Sequence, residues 1–170
     1  LILGGKGIGY KYSENEWDEL LENFSVFCTQ SNTKPLFITS PRTPIKVENI
    51  IKSKYDTSFS VLFHSENKRG SFSHLLYVAK NIFVTEDSST MLSEAISSGK
   101  KVACVYPKDI NAPEKYREII RKYEELNFIK RRSISEICDG PYNEMIDISY
   151  EVNQSLIEFN KLLVELLFDQ

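Results

Sequence analysis

The sequence has few cysteines and no long apolar run, and each shortage excludes a class of protein. Its three cysteines, Cys28, Cys104 and Cys138, lie too far apart in the chain for a disulfide framework or a clustered metal site. We therefore expect no metal, and a reducing compartment such as the cytoplasm. We also expect no cofactor. No apolar stretch approaches the roughly 20 residues of a membrane-spanning helix, so we expect any membrane contact to be peripheral.

An excess of charge of one sign is also lacking. The 170 residues carry 21 basic and 24 acidic side chains, for a net charge of -3. Such a surface has no general attraction for a phosphate backbone, so we expect no nucleic-acid partner. The chain starts with the apolar run LILGG, without an initiator methionine, signal peptide or transit peptide. We expect residues 1–170 to form a single domain that was cut from a longer two-domain chain.

What the chain does have is a strand, turn, helix and strand pattern over Ile82–Pro107. Ile82–Thr85 and Val102–Tyr106 are short apolar runs that are typical of buried strands. Between them, Asp87 or Ser88 is placed to cap a helix, and Gly99 stands where a helix commonly ends. The helix has an apolar face at helical spacing, formed by Met91, Leu92, Ala95 and Ile96.

The polar face of this helix carries a candidate binding site. Ser88, Ser89 and Thr90 lie at the N-terminus, where unpaired backbone N–H groups and the helix dipole favour an anion. Glu94 follows Thr90 by four residues and therefore shares its face. A carboxylate one turn from a bound phosphate is well placed to accept from a ribose diol. The competing interpretation is a Ser-rich cap followed by a solvated glutamate.

A glycine-rich loop follows the first predicted strand, Leu1–Leu3. Glycines after a strand allow close approach of a ligand, and a lysine adds positive charge. The spacing fits neither a Walker A motif nor a clean GxGxxG, so neither ATP nor a dinucleotide is indicated. The alternative is a tight turn between strand and helix. The candidate ligand-binding residues of the loop are Gly4, Gly5, Lys6 and Gly7.

A second polar turn follows the predicted strand Pro35–Ser40. Arg42 and Thr43 stand there between two prolines, at the strand's carboxyl end, where open parallel sheets bind ligands. A guanidinium forms a bidentate pair with phosphate that an ammonium cannot match. The alternative is a surface arginine in a proline-stiffened turn.

A third polar segment follows the predicted strand Phe59–His64. His64 is one of two histidines, the residue type that most often serves as a general acid or base, but the sequence offers it no partner. Glu66 and Asn67 belong to a loop at the same sheet edge, within reach of a nucleobase. No catalytic residue is assigned from the sequence.

Helical spacing and turn residues complete the prediction. Ser13 and Glu16 form a capping-box pattern before a helix over Glu14–Gln30. The basic cluster Lys130–Arg132 is interpreted as exposed surface. Five strands alternating with helices predict an α/β fold, a parallel Rossmann-like sheet with helices on both faces. The other predicted helices are Pro44–Lys54, Ser71–Ala79, Glu114–Asn127 and Val152–Phe168.

Three segments resemble one family in their order and spacing. LILGGKGIGYKYS, FITSPRTP and FVTEDSSTMLSEAISSGKKV resemble the plant mitochondrial-fission factors of the "elongated mitochondria" type and their bacterial relatives. Those relatives are often labelled as predicted nucleoside-diphosphate-sugar epimerases. The resemblance covers about residues 1–107. The chain departs from the family at Lys101, where proline is usual, and at Pro41, where a first arginine is usual.

The segment DSSTMLSEAISSGKKV is also similar to the donor-binding segment of GT-B nucleotide-sugar enzymes. That resemblance implies the C-terminal half of a GT-B architecture, completed by a missing N-terminal domain. It implies a nucleotide-diphosphate sugar, such as a UDP-sugar, with its diphosphate on the Ser/Thr turn and its ribose on Glu94. The glycine loop would face the phosphates or the interdomain cleft, and Glu66 and Asn67 match a Glu-Asn pair of the family.

Three functions follow from these resemblances. The first is a glycosyltransferase that uses a nucleotide-diphosphate sugar, and the second is an epimerase on the same fold. The third is a non-enzymatic interaction protein that recruits a dynamin-like GTPase to the mitochondrial surface.

Overall fold

The computed structural model of the chain describes residues 1–55, 60–66, 75–76 and 78–138. The predicted helix Val152–Phe168 and the candidate site residue Asn67 lie outside these residues, as does most of the predicted helix Ser71–Ala79. Within the part described, no helix is both long enough and apolar enough to cross a membrane.

In the part of the chain that the structure describes, six strands form a parallel sheet. In chain order these strands are β1 (Ile2–Leu3), β3 (Leu36–Thr39), β4 (Ser60–Leu62), β5 (Asn81–Thr85), β6 (Lys101–Tyr106) and β8 (Lys130–Ser133). They lie in the spatial order β4-β3-β1-β5-β6-β8, which is the doubly wound Rossmann order. Two short strands, β2 (Tyr10–Lys11) and β7 (Asp109–Ile110), form a separate antiparallel pair.

Four helices of the described residues flank the sheet and confirm the predicted α/β class. They are α1 (Glu14–Gln30), α2 (Ile45–Tyr55), α3 (Ser89–Ser97) and α4 (Glu114–Glu125). Alternate residues of the central strands point to opposite faces, because the side-chain period of a strand is two. Phe83 packs into the core beneath α1 and α2, whereas its neighbour Val84 packs into the core with α3 and α4.

Local sequence signals set the helix ends. Ser13 accepts from the backbone N–H of Glu16, whose side chain accepts from the backbone N–H of Ser13, so the predicted capping box is present. Asn127 follows the last residues of α4 with φ of 57°. The N–H of Phe128 then donates to the carbonyl of Tyr123 at 2.8 Å, which is the Schellman arrangement.

Two features differ from the sequence prediction. The sheet has a sixth strand at Lys130–Ser133, where the sequence was interpreted as exposed basic surface. The β2–β7 pair was also not predicted, because two-residue strands carry no periodicity.

Candidate functional site

Strands β3 and β4 lie on one side of β1, whereas β5, β6 and β8 lie on its other side. The strand order therefore changes direction at the boundary between β1 and β5. In open parallel sheets this switch point leaves a crevice outside the carboxyl ends of the strands. The segments that follow β1, β3 and β5 are the glycine loop, the Pro41–Pro44 turn and the start of α3. The fold therefore brings three of the predicted polar segments to one place.

The glycine loop is held by contacts within the protein. The N–H of Gly4 donates to Oγ1 of Thr85 at 2.7 Å, and the N–H of Gly5 donates to Oδ2 of Asp87 at 2.8 Å. A Cβ added to Gly5 would lie 1.8 Å from the carbonyl oxygen of Arg42, so the backbones touch. Glycine is required here by packing, and these two N–H groups are already used by protein acceptors.

Arg42 is an exposed cation beside this loop. A Cβ on Gly7 would lie 2.8 Å from Nη1 of Arg42, so the guanidinium is directed at the loop rather than away from it. Arg42 forms no ion pair within the part of the chain that is described. Lys6 is also exposed on the loop. The guanidinium and the ammonium are therefore open to an anionic ligand.

Thr43 has a structural task in the same turn. Its hydroxyl donates to the carbonyl of Leu3 at 2.6 Å and accepts from the backbone N–H of Ser40 at 2.9 Å. These bonds tie the turn after β3 to the end of β1. The Thr43 hydroxyl is thus committed to positioning Arg42.

The N-terminus of α3 follows the carboxyl end of β5, the neighbour of β1 at the switch point. Ser88 is buried and caps the helix by accepting from the N–H of Met91 at 3.4 Å, which decides the choice between Asp87 and Ser88. Ser89 and Thr90 are exposed, and their N–H groups have no acceptor among the described residues. Glu94 is exposed one turn further, about 6 Å along the helix axis.

Asp87 lies beneath the crevice as a fully buried carboxylate. Burial raises the pKa of Asp87, although the Gly5 N–H, the Thr85 hydroxyl and the Arg42 charge act in the opposite direction. Its Oδ1 is 3.5 Å from the hydroxyl of Tyr12. Asp87 therefore connects the glycine loop to the end of β5, a role that the sequence did not predict.

Glu86 is a second buried carboxylate that the sequence did not single out. It accepts from the Tyr10 hydroxyl at 2.5 Å and from Nε and Nη2 of Arg131 at 2.7 and 2.8 Å. The Tyr116 hydroxyl donates to its carbonyl oxygen at 2.7 Å. Burial opposes the charge of Arg131, but the hydrogen bonds to Glu86 raise its pKa further above the ordinary value. The cluster joins β5, β8, α4 and the β2–β7 pair.

Comparison with known proteins identifies the family of this chain. A family model described as Mitochondrial fission ELM1 matches residues 1–156. The chain belongs to the mitochondrial fission ELM1 family. An uncharacterized protein of Rickettsia prowazekii (strain Madrid E) is 35% identical over 118 residues, which are 66% of this chain and 32% of the relative. The ELM1-family chain thus spans about a third of the length of that relative. No solved structure matches.

The third predicted polar segment of the ELM1-family chain lies apart from the crevice. Strand β4 is the edge strand, separated from β5 by β3 and β1, or about 14 Å at ordinary strand spacing. The backbone N–H of His64 donates to Oγ1 of Thr39 at 2.8 Å, and Glu66 pairs with Lys52 at 3.1 Å. The imidazole of His64 has no partner among the described residues, so nothing there prepares it for acid-base catalysis.

A buried glutamate fixes this third segment. Glu48 accepts from the Thr39 hydroxyl at 2.6 Å and from the Ser65 hydroxyl. The turn over His64–Glu66 is therefore anchored to the end of β3. Among the residues described, no group of three or more His, Cys, Asp or Glu side chains could hold a metal ion.

Proposed function

We propose that this domain binds a nucleotide-diphosphate sugar, as the donor-binding half of a glycosyltransferase-like protein of GT-B architecture. One observation carries the proposal. An exposed guanidinium that forms no ion pair among the described residues, a helix N-terminus whose first N–H groups have no acceptor among them, and a carboxylate one turn along that helix all follow strands at the switch point of the sheet. The three groups are Arg42, the N–H groups of Ser89 and Thr90, and Glu94.

Each group has a matching part in such a donor. A diphosphate carries the negative charge that a helix N-terminus and an arginine both stabilise, the latter through a bidentate pair. Lys6 adds a further cation on the rim. Glu94 supplies two acceptor oxygens for the vicinal hydroxyls of a ribose.

Catalytic groups are assigned to the remainder of the protein. His64, the histidine considered for that role, lies on the edge-strand side of the sheet. The chain covers about a third of its Rickettsia relative, and in this proposal a further domain provides the acceptor side of the cleft. The domain described here then acts by holding and orienting the donor.

Replacement of Arg42 tests the proposal. Uridine, guanosine and adenosine diphosphates would first be titrated into the wild-type chain by calorimetry, and the tightest would be compared with its nucleoside. Arg42→Ala should weaken diphosphate binding by about 1.5–3 kcal/mol, the range for a hydrogen bond to a charged group. Binding of the nucleoside should hardly change, because it lacks the phosphates.

Lys46→Ala is the matched control. Lys46 is an exposed cation on α2 that pairs with Glu14 at 2.6 Å, so its loss removes one positive charge without touching the crevice. Diphosphate affinity should stay at the wild-type level in this variant. Equal losses for diphosphate and nucleoside in Arg42→Ala, or no binding of any of the three diphosphates, would overturn the proposal.

A further inference from the structure

A cavity of about 320 Å³ lies at the amino-terminal ends of the strands, opposite the carboxyl ends that carry the crevice. Its walls come from the amino-terminal ends of β1, β3 and β5, from α1, and from residues 75, 76 and 78–80. Most of the lining is aliphatic or aromatic. The apolar lining residues are Leu1, Ile2, Phe24, Phe27, Leu36, Ile38, Leu75, Leu76, Val78, Ala79, Ile82 and Phe83. The volume of the cavity lies at the lower end of the size range of small-molecule sites.

Positive charge surrounds the cavity. Lys34 and Lys80 both line it and are exposed, and none of its described lining residues is acidic. Lys100 directly precedes β6 and Lys101 is its first residue, so both lie at the same amino-terminal end of the strands. In a chain with a net charge of -3, this is a local reversal of sign. Lysines are common near helix C-termini, where they offset the helix dipole. That preference explains the lysines but does not explain the apolar cavity beside them.

We propose that the cavity binds the acyl chain of an anionic amphiphile, with the anionic head beside Lys34. The apolar walls would remove the chain from water, and the lysine would pair with a carboxylate or phosphate at the mouth. The site is independent of the nucleotide crevice, because the two lie at opposite ends of the strands.

Chain length is the first test. Monomeric octanoate, decanoate and dodecanoate would be titrated into the 170-residue chain. Each added methylene should strengthen binding about four-fold while the cavity fills, because burial of a methylene is worth about 0.8 kcal/mol. An affinity that does not depend on chain length would overturn the proposal.

The charge at the mouth is the second test. Lys34→Glu should weaken dodecanoate binding about five-fold, the scale of an exposed ion pair, and should leave dodecanol binding unchanged. Lys115→Glu makes the same charge change at an exposed position on α4 and should leave both ligands unaffected. Equal effects of the two substitutions on dodecanoate would show only a general influence of net charge and would overturn the proposal.

Filling the cavity is the third test. Ala79 is a small, half-buried lining residue, so Ala79→Phe should occupy the space and reduce dodecanoate affinity at least ten-fold. A cooperative thermal transition would establish that this variant is folded, and the Lys34 comparison stands without it. Wild-type affinity in folded Ala79→Phe would place the ligand elsewhere and overturn the proposal.

The source of the amphiphile is distinguished by a vesicle arm. Vesicles of phosphatidylcholine with 30% phosphatidylglycerol would be compared with monomeric dodecanoate. Binding of both that falls together in Ala79→Phe supports insertion of a lipid acyl chain, and binding of dodecanoate alone supports a free fatty acid. A third outcome is that the vesicles bind wild type and Ala79→Phe equally and dodecanoate does not bind. The vesicles would then be held by surface charge alone, which would contradict the cavity site.

Discussion

Glu94 stands on the exposed face of α3, and its carboxylate has no ionic or hydrogen-bonded partner among the described residues. The apolar face of the helix is supplied by Leu92, Ala95 and Ile96, which are buried. Packing therefore does not require a glutamate at this position. Its placement one turn from the N-terminus suits recognition of a ribose.

Glu94→Gln tests that role. The substitution keeps the shape but removes the charge, so ribonucleoside-diphosphate binding should weaken by roughly 1–3 kcal/mol. A 2′,3′-dideoxy analogue should bind wild type and variant alike, and the four affinities form a double-mutant cycle. Glu118→Gln, at an exposed carboxylate on α4, is the control and should change neither ligand. A coupling energy near zero would make Glu94 a solvated surface residue.

The glycine loop shows what a residue-level pattern leaves open. The sequence indicates only that the backbone is approached closely at Gly4 and Gly5. The structure shows that the approaching groups are Asp87 and the Arg42 carbonyl, both from distant parts of the chain. A glycine pattern cannot distinguish a ligand from the protein's own backbone, because both require the same missing side chain.

At the scale of elements, prediction succeeded where the signal is local. Helix α1 has the predicted ends, because the Ser13–Glu16 box and the apolar face lie within its own sequence. The central strands are short apolar runs that are buried on both faces. Strand β8 has no such run. Its place is set by pairing with β6 and by Arg131, whose partner Glu86 lies 45 residues away.

We therefore expect the Glu86–Arg131 pair to determine how strongly β8 is held in the sheet. Glu86 is 1% exposed and Arg131 29% exposed, and the guanidinium also lies 4.4 Å from the centre of the Tyr106 ring. Arg131→Met leaves a buried carboxylate without its cation, which should cost about 2–4 kcal/mol of unfolding free energy by urea denaturation. The double variant with Glu86→Gln should recover part of this loss, because no buried charge then remains.

Arg121→Met is the control for this element. Arg121 pairs with Glu125 at 3.6 Å, but both side chains are about 65% exposed, so the loss should stay below about 1 kcal/mol. If Arg131→Met costs no more than Arg121→Met, the pair with Glu86 does not hold β8 in place.

At the scale of the whole molecule, two buried carboxylates, Glu16 and Asp87, differ in their effect on stability. Glu16 accepts from the N–H of Lys108 at 2.8 Å and belongs to the capping box. Burial acts to raise the pKa of Glu16, but the hydrogen bonds from Lys108 and Ser13 outweigh it and lower the pKa. Glu16 thus stabilises the fold above its ordinary pKa, and that contribution is lost on acidification.

Asp87 has the opposite sign, and this gives a test on the intact chain. Because its pKa is raised in the folded state, the stability that it contributes is fully present below the unfolded value of about 3.9 and is lost as the pH rises through the folded pKa. Asp87→Asn keeps an acceptor for the Gly5 N–H but carries no charge. The stability of the variant relative to wild type, measured by urea denaturation from pH 4 to pH 8, should therefore increase with pH and then level off.

A flat or falling difference for Asp87→Asn would mean that Asp87 is stabilised as a carboxylate at neutral pH. The Gly5 N–H and the charge of Arg42 would then outweigh burial. In that case Arg42 would already be engaged by the protein, and its availability to a diphosphate would have to be measured in the Asp87→Asn background.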